Sequence, residues 1–338
     1  MAQRLGKYTL MLPSKPEIAG YAAVGGKKEG EGPLGTKFDY VYEDSSAGEK
    51  TWEKAESTIH GDAVRRAISK AGLTDEQVNV IFAGDLLNQC IGTTFGIRET
   101  GIPFAGVYGA CSTMALSMAM AAVSVDSSVA ETAVASTSSH FCSAEKQFRM
   151  PLEYGGQRTP TAQWTATAAG SFILSSKTKT GVYINNGMIG KIIDGLTTDG
   201  SNMGAAMSRA AADSVYTYLS LTESSPENFD AIFTGDLGKV GSEIFCELIS
   251  KDFPRAAEIH KDCGTLLYYM NKKNLNSGAS GCGCSASVLS TYVLPRLERG
   301  ELKNILFLST GALMSPSSIL QGENILGIAP IINIKREN

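Results

Sequence analysis

Histidine is scarce in this chain: only His60, His140 and His260 occur among 338 residues, so chemistry needing two imidazoles at one site has few ways to assemble. Long apolar runs are absent as well. No stretch approaches the roughly 18 apolar residues that span a bilayer. Residues 1–12 carry two cations but too short an apolar run for a secretory leader. The expectation is a soluble chain, made in the cytoplasm, that meets a membrane only through other proteins. A basic excess is missing, since the net charge is -4, and nucleic acid is therefore not expected as a partner. A disulfide framework is missing too. Seven cysteines is an odd number at irregular spacing, and Cys282-x-Cys284 with Cys263 lacks the second pair of a zinc site. Reduced intracellular thiols and no bound metal are the reading. The formal GxGxxG at Gly30-Glu31-Gly32-Pro33-Leu34-Gly35 lacks a preceding strand and is broken by Pro33, so no dinucleotide or other cofactor is expected.

What is present is a composition that packs. Apolar residues make up 43% and charged residues 19%, ordinary for a globular protein, and the length suffices for two packed halves. Thirty-six glycines, with abundant Ala and Ser, suit close contact between layers. Residues 14–50, rich in Gly, Lys and Glu, read as an irregular surface segment. From Trp52 to Ala71, apolar residues at three- and four-residue spacing predict a helix, and Gly72 stops it. A short turn at Thr74-Asp75-Glu76-Gln77 then leads to a strand over Val78 to Ala83 and the loop Gly84-Asp85-Leu86-Leu87-Asn88-Gln89.

The plan returns. A helix over Ala205 to Leu221 leads to Ala231-Ile232-Phe233-Thr234-Gly235-Asp236-Leu237, and a shift of 151 places Gly84-Asp85-Leu86 on Gly235-Asp236-Leu237. A second shift, of 173, places Cys111-Ser112 on Cys284-Ser285 and Ser136-Thr137 on Ser309-Thr310. Two matches in the same order argue for internal duplication, with extra residues over about 240–275 in the second copy. The halves are expected at 1–180 and 181–338. Strands alternating with helices and buried on both faces predict a layered α/β protein.

Gly109-Ala110-Cys111-Ser112-Thr113 is the stretch with most chemistry. Ile102 to Tyr108 before it reads as a buried strand, and Met114 to Val125 after it as an uncharged, buried helix with Met114, Met118 and Met120 as core. A cysteine at a helix N-terminus favours thiolate, and the same amides can hold a carboxylate. Either use fits this turn. His140, after a predicted strand that ends near Cys111, is read as lining the same cavity. His60 reads as a surface residue, and His260 as exposed and structural. Asp85 and Asp236, at equivalent strand ends, could orient donors in the site or cap the following loops. Asn88 and Gln89 could donate to a carboxylate or serve backbone groups.

Two β-α repeats with a cysteine opening the central buried helix resemble the thiolase-like fold of condensing enzymes: duplicated repeats in αβαβα layers. More narrowly, the chain resembles the stage V sporulation protein AD family over nearly its whole length. The match rests on Ala83 to Gln89, Gly109 to Thr113, Ser138-Ser139-His140 and Gln147-Phe148-Arg149-x-Pro151-x-Glu153-Tyr154-Gly155-Gly156-Gln157. In the second half it rests on Thr234 to Leu237, Asp262-Cys263-Gly264, Ser280 to Ser285 and Thr310-Gly311-Ala312-Leu313.

The resemblance implies a non-enzymatic role: binding dipicolinate (pyridine-2,6-dicarboxylate) and supporting its uptake with calcium into the developing spore. The partners implied are other proteins of an assembly at the spore inner membrane, and a homodimer by analogy. A condensing enzyme pairs its cysteine with His, and with His or Asn, from the second half. Here Asp236 stands at one of those places and the turn Ser277 to Gly281 at the other, which weighs against an acyltransferase using Cys111 with an acyl-coenzyme A. A dicarboxylate on a flat ring calls for cations, helix amides and an apolar slot. Cys111, Ser112, His140, Arg149, Asp85, Asn88 and Gln89 form the candidate ligand set, with Arg149 as cation and Arg158 and Lys146 as weaker alternatives.

Overall fold

The computed structural model describes residues 1–148, 158–272 and 275–337. Ten strands carry the layout: β1 Glu17–Gly25, β2 Val80–Gly84, β3 Phe104–Gly106, β4 Thr132–Ser139 and β5 Ala168–Ser175, then β6 Val182–Met188, β7 Ala231–Thr234, β8 His260–Asp262, β9 Asn304–Leu308 and β10 Ile331–Arg336. They run in the order β8-β7-β9-β10-β6-β1-β5-β4-β2-β3 within one hydrogen-bonded path. Read outward from the centre, β1-β5-β4-β2-β3 mirrors β6-β10-β9-β7-β8. In the first set β5 runs antiparallel to both its neighbours while β2, β3 and β4 are mutually parallel, and in the second β10 does so while β7, β8 and β9 are parallel. This is the layered α/β architecture of duplicated repeats that the sequence suggests.

Helix α1, Trp52–Lys70, begins where the Thr51 hydroxyl accepts the Lys54 N–H, and Gly72 ends it at φ 69°. Its apolar stripe, Ala55, Ile59, Ala63, Val64, Ala67 and Ile68, is buried. Helix α2 covers Ile91–Ile97, α3 Thr113–Asp126, α4 Phe141–Phe148, α5 Met203–Thr222, α6 Gly238–Ile249 and α7 Cys282–Val288. The two central helices, α3 and α7, are made largely of Ala, Ser, Cys and Met. Met114 and Met118 are fully buried as core, whereas Met120 is half-buried.

Several expectations need correction. Residues 14–50 are not an irregular segment throughout, because β1 lies among them at the centre of the sheet and pairs with β5 along its length. Its second half, residues 22–25, is buried on both faces and built of Ala, Val and Gly, so it shows no alternation, which hid the strand. The strand before Cys111 is short and lies at the sheet edge, with Phe104 38% exposed, because β3 has β2 as its one neighbour. The extra residues at 240–275 are not a simple insertion. They contain β8, which pairs with β7 as β3 pairs with β2.

Two histidines also differ. His60 is fully buried, its Nδ1 3.0 Å from Ser138 Oγ and its Nε2 2.8 Å from Ser136 Oγ. It sits on the sheet-facing side of α1 with buried Glu56, so the charges beside it in sequence gave a misleading sign. His260 is not exposed: its Nε2 lies 2.8 Å from Thr234 Oγ1 and its ring packs on Phe245 at 4.7 Å.

Layer spacing depends on small residues. A Cβ on Gly170 of β5 would meet the Cβ of Ala286, on α7, at 2.7 Å and its carbonyl oxygen at 2.9 Å. Gly170→Val is therefore expected to cost about 1–3 kcal/mol through overpacking. Urea unfolding measures it, and an unchanged midpoint would show that the layers can separate without loss.

Candidate functional site

The site is built where the two halves meet. Cys111 lies in a single 3-10 turn, Ala110–Ser112, that leads into α3, and Ala110 before it takes φ 51°. That left-handed conformation is unfavourable for a residue with a Cβ and is held here by the surrounding bonds. Ser112 Oγ donates to the Gly109 carbonyl at 2.6 Å and Thr113 Oγ1 to that of Ala110 at 2.7 Å. The Ala115 N–H on α3 donates to Ser309 Oγ at 3.1 Å, so the second half caps this helix.

Across from the thiol stands Asp236, fully buried just beyond β7. Its Oδ2 accepts the Gly281 N–H at 2.8 Å, and its Oδ1 accepts the Thr310 hydroxyl at 2.8 Å. One carboxyl thus joins the ends of β7 and β9 to the start of α7. Ser280, preceding α7, places its Oγ 3.9 Å from Cys111 Sγ. Burial pushes the Cys111 thiol well above its ordinary range, and the Asp236 charge adds to the effect. Burial also raises Asp236, to about 6. The helix N-terminus favours thiolate, but desolvation and a neighbouring acid outweigh it.

Cys111 lines a narrow cavity of about 40 Å³. Tyr108, Phe148, Met203 and Met314 give it apolar and aromatic walls, while Thr165 and Ser280 bring hydroxyls. Glu145 is its one charged lining residue among the described residues. Tyr108, Phe148 and Met314 are shared with an outer cleft that also holds Asn88, Gln89 and Gln147. Gln147 fastens α4 to the 84–89 loop, accepting the Asn88 N–H at 2.9 Å and donating to the Leu86 carbonyl at 3.2 Å.

The sequence-derived set therefore divides. Cys111 lines the cavity, and Asn88 and Gln89 line its mouth. Ser112 is buried with its hydroxyl used within the turn. His140 is turned elsewhere, a correction to its expected place in the cavity. Its Nε2 donates to the Ser45 carbonyl at 2.7 Å, its Nδ1 accepts the Cys142 N–H at 3.1 Å, and Trp52 lies alongside. The proximity of its strand to Cys111 did not fix which side of the wall the ring would take.

Asp85 is likewise absent from the cavity wall. Both its oxygens are occupied, by the Leu87 N–H at 2.7 Å and by the N–H and hydroxyl of Thr93 at 2.7 and 2.6 Å. Arg149 lies outside the described residues. Of the weaker cations, Lys146 pairs with Glu53 at 2.6 Å, and Arg158 pairs with Glu145 at 3.2 Å beside Phe141 and Trp164. Sequence reasoning missed Tyr108, Thr165, Met203 and Met314 as lining residues. No spacing rule marks them, since they come from four separate segments.

Buried acids link this region to pH. Burial raises Asp262 to about 7 and Glu56 to about 8, and it also raises the neighbouring Asp85. The folded chain then keeps protons that the unfolded chain has released, so stability falls as pH rises through these values. His60 and His260, pushed by burial to about 3 and about 4, act in the opposite sense, but only below the ordinary imidazole value of 6.5. Melting temperature should therefore fall as pH is raised from 6.5, and Glu56→Gln should flatten that slope. A second expectation concerns the thiol. Cys111 should alkylate slowly with iodoacetamide near neutral pH, and Asp236→Asn should speed it, as read by intact mass and peptide mapping. Equal rates would remove Asp236 as a determinant of its reactivity.

Residues 6–335 match the model of a family described as stage V sporulation protein AD (SpoVAD). The stage V sporulation protein AD of Bacillus subtilis (strain 168) is 38% identical over 324 residues, covering 96% of this chain and 95% of that protein. Among solved structures, 3-oxoacyl-[acyl-carrier-protein] synthase III from Aquifex aeolicus VF5 superposes with a TM-score of 0.56 at 12% identity, over 95% of this chain and 99% of that one. Acetamide-bound OleA of Xanthomonas campestris gives a TM-score of 0.58 at 13% identity, over 95% and 98%. Likeness at that level establishes the fold, which is the thiolase-like one.

Proposed function

This chain belongs to the stage V sporulation protein AD family, and from that premise we propose that it serves sporulation as a non-catalytic binder of dipicolinate. In this reading it supports uptake of the acid, with calcium, into the developing spore. It works at the face of the spore inner membrane with other proteins of the assembly, and as a homodimer. No helix among the described residues is long and apolar enough to cross a membrane.

The observation that carries the reading is the setting of Cys111. The side chains beside it are an acid, Asp236, and a hydroxyl, Ser280, and no imidazole lines the cavity among the described residues. A nucleophile needs a base to take its proton and donors to hold the developing oxyanion. Here the thiol is held protonated instead. The aromatic and thioether walls suit a flat ring, and the Asn88, Gln89 and Gln147 mouth suits a carboxylate. The described wall supplies no cation, so the charge of the ligand is met by Arg149, by calcium carried with it, or by both.

Titration of the purified chain with dipicolinate and with acetyl-coenzyme A, followed by heat and by intact mass, tests this. Saturable dipicolinate binding with no mass gain is expected, and Arg149→Ala should weaken it by about tenfold or more. An acyl adduct that disappears in Cys111→Ala would overturn the proposal in favour of a thiolase-like acyltransferase.

A further inference from the structure

A second recess lies at the far end of the sheet from Cys111. Asn304 opens β9, whereas Ser309 and Thr310, beside Cys111 and Asp236, follow its other end. The recess has about 370 Å³ of space and is lined by five asparagines, 185, 186, 228, 304 and 333. Four of them come from adjacent strands. Asn333 on β10 pairs in register with Asn186 on β6 and with Leu306 on β9, and Lys335 pairs with Asn304. Residues opposite one another in register share a face, so Asn186, Asn333, Asn304 and Lys335 are on the same side of the sheet.

The register of β6 slips between Ile184 and Asn186, leaving Asn185 in a bulge. A bulge breaks the alternation of side chains, and this one lets two consecutive asparagines reach one recess. Amides then run in one direction across the strands. Asn185 Nδ2 donates to Asn333 Oδ1 at 3.0 Å, Asn333 Nδ2 to Asn304 Oδ1 at 2.6 Å, and Asn304 Nδ2 to the Asn228 carbonyl at 2.6 Å. Tyr218 donates its hydroxyl to Asn186 Oδ1 at 2.6 Å. This chain of bonds fixes every amide orientation. It leaves Asn185 Oδ1 as an acceptor and Asn186 Nδ2 as a donor on adjoining residues of the recess, with no hydrogen-bond partner among the described residues.

Such a row is costly on a sheet face covered by a helix, where Ile, Val and Leu would pack without needing partners. The rest of the lining is mixed: the hydroxyls of Tyr218, Thr222 and Ser224 add to the amides, while Leu5, Met11 and Phe229 supply an apolar side. Lys335 is its one charged residue among the described residues, and no carboxylate lines it. We propose that this recess binds a small hydroxyl-rich ligand carrying one anionic group, the chemistry of a sugar phosphate. The Asn185 and Asn186 pair meets neighbouring hydroxyls as acceptor and donor, and Lys335 meets the anion.

Calorimetric titration of the full chain with glucose 6-phosphate, glucose and inorganic phosphate tests this. Glucose 6-phosphate should bind at one site about tenfold or more tighter than either fragment. Lys335→Gln should reduce it to the level of glucose, and Asn186→Leu should abolish it while circular dichroism shows the fold retained. Should Asn186→Leu fail to fold, the half-buried Lys335→Gln variant decides alone. Absence of saturable heat from glucose 6-phosphate, unchanged affinity in Lys335→Gln, or equal affinity for inorganic phosphate would each overturn the proposal.

Discussion

The Asp236 carboxyl is the constraint around which the Cys111 region is arranged. It accepts the Gly281 N–H that starts α7 and the Thr310 hydroxyl beyond β9, while its own chain position ends β7. Three elements of the second half therefore converge on one buried acid, and that acid faces a cysteine contributed by the first half. An unpaired carboxyl in this position would cost several kcal/mol, on the order of what a lost buried hydrogen bond network costs. Bonded as it is, it orders the floor of the cavity and adds to the effect of burial on the thiol. An imidazole in the same place could take the thiol proton; a carboxylate raises the energy of the thiolate.

Pseudo-symmetry explains how one scaffold serves two different ends. Asp85 stands where Asp236 stands in the other half, yet its oxygens are spent on Leu87 and Thr93 and organise the loop at the cavity mouth. The same residue type, at the same strand end, anchors a loop on one side and lines up against a thiol on the other. Gln147 completes the mouth by binding that loop to α4. Duplication supplies the frame, and divergence of single side chains supplies the asymmetry that a binding site needs.

Polar groups buried away from the cavity show a related economy. His60 bridges Ser136 and Ser138, Glu56 accepts from Ser138 and Ser143, and the asparagine row spans β6, β10 and β9. Each network ties a helix or strand to its neighbour through fully specified bonds, where apolar packing of small residues would leave register loose. The small-residue composition of α3 and α7 makes close layers possible, and the polar networks fix how those layers align.

Much of this was legible from residue order. Helix α1 with its glycine stop, the equivalence of the 84–86 and 235–237 loops, and the cysteine at the head of α3 are local patterns, set by side-chain periodicity, capping and repetition. They determined the duplicated α/β architecture and singled out Cys111, which lines the inner cavity, and Asn88 and Gln89, which line the adjoining cleft. Tertiary structure alone decided the rest. Strand β1 carries no periodic signal because its second half is buried on both faces. His60 and His140 turn toward Ser136, Ser138 and Ser45, partners distant in sequence. The walls at Tyr108, Thr165, Met203 and Met314 come from four segments brought together by the sheet. Residue order specifies which groups a segment owns, whereas burial and facing partners, set only when both halves close, specify what those groups can do.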